Sequence, residues 1–87
     1  MIIELYLVPE DMHGKALKLF LTSNNLKFNE IITNDINVLS KIAQSRLVNK
    51  TSLLRIKYSS SVHIIPGFQD YALSQLLEHI KKYNPKF

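Results

Sequence analysis

Eighty-seven residues, 46% of them hydrophobic and 21% charged, make one small folded domain, residues 1–87, with a modest core. The chain has no cysteine, which excludes disulfides, thiolate metal sites and thiol nucleophiles together. The net charge of +4 is uneven: residues 1–40 sum to −2 and residues 41–87 to +6, so the second half suits an acidic partner, a phosphate backbone, an anionic small molecule or simply water.

Ile2-Ile3-Glu4-Leu5-Tyr6-Leu7-Val8 is an almost unbroken apolar run stopped by Pro9, the pattern of a central strand buried on both faces. From about Asp11 to Ser23 the period changes to that of a helix. Ala16, Leu17, Phe20 and Leu21 fall near one face, Lys15, Lys18 and Thr22 on the other, and Asn24-Asn25 is the stop. Lys27 to Thr33, with Phe28 and Ile31-Ile32, reads as a second strand. Asp35 is the expected N-cap of a helix carrying Ile36, Leu39, Ile42 and Ala43 on one side. Leu53 to Tyr58 alternates, with Leu54, Ile56 and Tyr58 to one face and Leu53, Arg55 and Lys57 to the other. Ser59-Ser60-Ser61 makes the turn of a hairpin, Val62 to Ile65 returns, and Pro66-Gly67 closes that strand. Leu73, Leu76, Leu77 and Ile80 then mark a final helix, with Lys81-Lys82 at its favourable C-terminal end.

The order is β-α-β-α-β-β-α. It predicts an α/β sandwich: a four-stranded mixed sheet, the first two strands parallel and the last two antiparallel, with helices on both faces. No run approaches the roughly 18 apolar residues that span a bilayer. No basic stretch followed by an apolar run marks a secretory leader. The expectation is a cytoplasmic domain with no membrane contact.

That order, at this length, resembles the thioredoxin fold in its smallest, glutaredoxin-like form. Leu5-Tyr6-Leu7-Val8-Pro9 looks like the first strand and following proline of glutaredoxins, and Leu26-Lys27-Phe28-Asn29-Glu30-Ile31 like their second strand. Gly67-Phe68-Gln69-Asp70 looks like the turn that opens the last helix, especially in the NrdH-type redoxins. The resemblance implies a C-x-x-C where the first helix begins, its thiolate stabilised by the helix N-terminus. Here the stretch is Glu10-Asp11-Met12-His13-Gly14-Lys15, with Asp11 at the first cysteine position and Gly14 at the second. It also implies a cis-proline opening the third strand, where this chain has Thr51-Ser52-Leu53; before a leucine the cis form costs about 2.5–4 kcal/mol, so a trans bond is expected. No thiol-disulfide oxidoreductase activity survives both changes, and no cofactor is expected.

Candidate residues cluster around that altered corner. Asp11 and His13 form a polar pair at the helix start; a capping carboxylate is the simpler role, because two ligands do not hold a metal without a third. His63 reads as a surface strand histidine and His79 as solvated. Arg46, Lys50, Arg55 and Lys57 precede or line the third strand, where the resemblance implies basic groups that hold a glutathione carboxylate. It implies contacts to that tripeptide for Thr51 and Asp70 as well, whereas Leu53 and Pro66 replace residues whose backbones help hold it. Glutathione binding is thus expected to be weakened. Tyr58 and Phe68, interleaved with basic residues, loosely suit stacked nucleic-acid bases, but no RNA or DNA motif is visible and the aromatics sit at core-like positions. The leading expectation is a redox-inactive protein-binding or regulatory module, self-associating in its simplest form. Its groove beside the third strand is lined by Met12, Leu53 and Pro66, with Gly14 and Gly67 at its margins. The rivals are an enzyme or small-anion binder reusing the cleft, with Asp11 and His13 as its polar groups, and a basic nucleic-acid-binding domain.

Overall fold

The structure, a computed structural model, describes residues 1–45 and 49–83, the last by its backbone. Seven elements follow in order: β1 (Ile2–Leu7), α1 (Met12–Ser23), β2 (Asn29–Ile32), α2 (Ile36–Ala43), β3 (Leu53–Lys57), β4 (Val62–Pro66) and α3 (Asp70–Tyr83). They build a four-stranded mixed sheet in the order β2-β1-β3-β4. β1 runs parallel to β2 and antiparallel to β3, and β3 is antiparallel to β4, so both expected pairings are present. The second strand is shorter than the Lys27–Thr33 stretch expected, because its pairing with β1 runs only from Asn29, opposite Glu4, to Ile32, opposite Leu7.

That end is a Schellman motif. Asn25 adopts a left-handed φ of 56°, its N–H donates to Thr22, and the Leu26 N–H reaches back to the Leu21 carbonyl at 2.9 Å. Leu26 buries its side chain against the core as it does so. The same device closes α2, where Gln44 takes the left-handed position (φ 57°) and Ser45 N–H donates to Ser40 O at 3.2 Å. α2 starts as expected, with the Asp35 carboxylate accepting the Asn37 N–H at 2.9 Å.

Alternation along the two central strands divides the core. Ile3 and Leu5 of β1 and Leu54 and Ile56 of β3 join Leu17 and Leu21 of α1 and Leu73, Leu76 and Ile80 of α3 on one face. On the other face Tyr6, Val8 and Leu53 pack with Leu39 of α2. Helices therefore cover both faces, and β1, paired on both sides, is the central strand its apolar run predicts. The edge strands are kept unfavourable for further pairing: β2 has four residues, and β4 ends in a proline with no N–H. Lys18 Nζ joins α1 to the β2 edge, 3.2 Å from both Glu30 carboxylate oxygens. Among the described residues no helix is long and apolar enough to cross a membrane.

Candidate functional site

The corner around Asp11 is built by the turn from β1 into α1. Asp11 N–H donates to Val8 O at 3.2 Å around a turn with Pro9 second and Glu10 third, and Glu10 takes a φ of 66°. Proline followed by a left-handed residue is the pattern of a type II turn, which starts α1 directly after the strand. Asp11 then caps the helix, its Oδ1 accepting the His13 N–H at 3.3 Å.

The other Asp11 oxygen does something the sequence did not suggest. Oδ2 accepts the backbone N–H of Ser52 at 2.9 Å, tying the helix start to the residue before β3. Ser52 has no exposed surface. Its hydroxyl oxygen accepts the Val8 N–H at 2.8 Å, and its carbonyl accepts the Gly67 N–H at 2.8 Å. One residue thus joins the ends of β1, α1 and β4, and every polar atom of its backbone is occupied. No buried side-chain nitrogen or oxygen among the described residues lacks a partner.

Gly14 and Gly67 are dictated by this joint. A Cβ on Gly14 would lie 2.5 Å from Ser52 Oγ and closer still to Leu7 Cδ1, so position 14 has no room for a side chain unless these neighbours shift. Gly67 holds φ at +68°, the left-handed region in which glycine alone is unstrained, and so aims its N–H at Ser52. His13 Nδ1 lies 3.7 Å from Asp11 Oδ1 and 4.0 Å from where a Gly67 Cβ would stand. Partial burial raises the Asp11 pKa, but hydrogen bonds from the Ser52 amide and hydroxyl and from the His13 amide, with the nearby His13 ring, outweigh it and leave the pKa lowered.

Asp11, His13, Gly14, Thr51 and Gly67 therefore meet, with Met12 80% exposed beside them and Pro66 exposed at the end of β4. Lys50 is exposed just before them, and Asp70 is exposed in the first turn of α3. Leu53 does not line a groove: its side chain is wholly buried on the α2 face among Tyr6, Val8 and Leu39, because it is the first inward residue of that strand face. No cis peptide bond occurs among the described residues. Arg55 is not turned to the corner either; its guanidinium lies 2.8 Å from Glu4 on the neighbouring strand, the residue that faces it in register. Lys57 is two pairs further along, opposite Ile2 and Val62. Arg46 lies outside the described residues.

Phe68, expected at a core-like position, is 36% exposed and stands edge-on to Phe20 with ring centroids 6.5 Å apart. Ser52 was the residue missed: a small polar residue opening a strand carries no signal of the three bonds it makes. Also missed was the gathering of Tyr58, His63 and His79 at the opposite end of the sheet, although Tyr58 and His63 bracket the serine turn in the sequence. Among the described residues no three His, Asp or Glu side chains gather closely enough to hold a metal ion. Compared with family models, curated proteins and solved structures, the chain matches none.

Proposed function

We propose that the chain is a glutaredoxin-like domain emptied of thiol chemistry that works as a protein-binding or regulatory module, with self-association as the simplest case. The scaffold reading rests on the element order and the mixed sheet, β1 and β2 parallel and β3 and β4 antiparallel. The observation that carries the binding reading is the Ser52 joint. The corner keeps a rigid, fully bonded frame while presenting Met12, His13, Pro66 and Phe68 on its outside.

This frame also defines how a partner is held. The amide and carbonyl of Ser52 are used internally, so neither is left to pair with an extended peptide or a glutathione backbone. Recognition falls to the exposed side chains of the rim, Met12, Pro66 and Phe68 with His13 among them. With Arg55 paired to Glu4, fewer basic groups remain for a carboxylate or phosphate at this corner, which argues against the anion and nucleic-acid readings.

Light scattering over a broad concentration range, with amide hydrogen exchange on the same samples, tests the proposal. The expected result is a concentration-dependent dimer, or a complex with a retained partner, that protects the amides of Met12–Gly14 and Gly67–Gln69. A strict monomer at all concentrations, with no partner that protects those amides, removes the reading.

A further inference from the structure

A second candidate site lies at the opposite end of β3. A surface hollow of about 710 Å3 opens between the β3–β4 hairpin and one side of α3, with Ala72 and the edges of the nearly buried Ile65 and Leu76 as its apolar floor. Its rim carries Tyr58, His63, Gln75 and His79. The Tyr58 ring stands edge-on to both imidazoles, 5.1 Å from His63 at 89° and 4.8 Å from His79 at 67° between ring planes. The hairpin holds two of these groups in place. Tyr58 N–H donates to Ser61 O at 2.8 Å to close the turn, and His63 is the cross-strand partner of Ile56.

The chemistry of this hollow is one-sided. No Asp, Glu, Lys or Arg is among its described lining residues, so no carboxylate repels an anion there, and all of them except Met1 belong to the half of the chain with net charge +6. Imidazole, phenol and hydroxyl groups supply hydrogen-bond donors, and the Gln75 carboxamide, which donates one N–H to the Tyr71 hydroxyl at 2.9 Å, has a second. Burial pushes the Tyr58 phenol up, so it keeps its proton at neutral pH and remains a donor. The volume falls within the roughly 300–1,000 Å3 typical of small-molecule sites, and an apolar floor with a few convergent polar groups is their usual composition.

We propose that this hollow binds a small organic anion, with a flat unsaturated body against Ala72 and the exposed edges of Ile65 and Leu76 and a carboxylate or phosphate head against His63 and Tyr58. The site is independent of the Asp11 corner: the five residues of β3 separate them by about 16 Å of strand.

The test is an amide chemical-shift titration of the full chain at low salt with salicylate, with adenosine monophosphate, and with uncharged benzyl alcohol. The expected result is saturable shifts at Ser59, Ser61, His63 and Gln75 with at least one of the two anions. Salicylate alone identifies a carboxylate site and the nucleotide alone a phosphate site. His63→Gln, on an exposed edge-strand position, is expected to weaken that binding about tenfold, the effect of one hydrogen bond to a charged group. Gln75→Ala, on the exposed side of α3, gives a second, smaller loss. The proposal is overturned if neither anion gives saturable shifts up to about 10 mM. It is overturned equally if benzyl alcohol binds as tightly as salicylate, if the shifts map to Asp11–Gly14, or if both variants leave affinity unchanged.

Discussion

The Asp11 carboxylate accepts the backbone N–H of Ser52 at 2.9 Å across a separation of 41 residues, while its other oxygen caps α1. A single short side chain therefore satisfies two backbone donors that belong to different layers of the fold. Asp11→Ala removes both acceptors and is expected to destabilise the domain by about 2–3 kcal/mol, a helix cap plus an orphaned amide. Asp11→Asn keeps an acceptor but loses the charge and is expected to cost about half as much. Urea denaturation of the three proteins checks the ranking; equal stability of wild type and the alanine variant would remove the role given to this carboxylate.

The same carboxylate makes stability depend on acid. Its pKa is lowered in the folded protein, so its contribution is fully present above the ordinary carboxylate value of 3.8 and is lost as pH falls through the lower folded value. Thermal unfolding followed from pH 6 downward is expected to show the wild type converging on the Asp11→Asn variant below about pH 4. A gap between the two proteins that stays constant down to pH 2 contradicts this assignment.

Gly14 inverts the usual helix rule. Glycine to alanine inside a helix ordinarily stabilises by about 1 kcal/mol. Here the added methyl would meet Ser52 Oγ and Leu7, so Gly14→Ala is expected to destabilise by about 1–3 kcal/mol. Because Ser52→Ala makes part of the needed room, the two substitutions together are expected to cost less than the sum of each alone. A double-mutant cycle in denaturant reads that coupling directly, and strict additivity would mean the two residues are not in contact.

Gln44 offers the opposite case. It occupies the left-handed C-terminal position of α2, where a side chain is strained and glycine is not. Gln44→Gly is expected to raise stability by up to about 1 kcal/mol, visible as a higher melting temperature.

For the proposed interface, Met12→Glu places a charge on the most exposed apolar side chain of the rim without touching the core. It is expected to shift the monomer–dimer equilibrium, or the affinity for a captured partner, at least tenfold toward the free chain while melting within about 0.5 kcal/mol of wild type. An unchanged equilibrium would move the contact surface elsewhere on the domain.

Much of the architecture was legible in the chain because its patterns are local. The apolar run of β1, the alternation from Leu53 to Lys57, the caps Asp11 and Asp35 and the serine turn each signal themselves within a few residues. The bounds of β2 were misjudged because its pairing with β1 runs only from Asn29 to Ile32, a matter of register that apolar spacing does not encode. At the candidate corner, the position of the altered turn was legible but its content was not. Leu53 looks like any groove residue until the strand's facing assigns it to the α2 side. Arg55 looks like a binding charge until register places Glu4 beside it. Ser52 has no pattern at all; its three bonds exist only when residues near positions 8, 11 and 67 arrive together.

The Ser52 joint also bears on whether this corner could accept a thiol. A cysteine at position 14 collides with Ser52 and Leu7 before it can act, and one at position 11 removes the carboxylate that holds the start of β3. Each substitution lowers stability before a thiol can act. Packing and a buried hydrogen bond thus close this corner to cysteine at both positions, whatever the rim outside it binds.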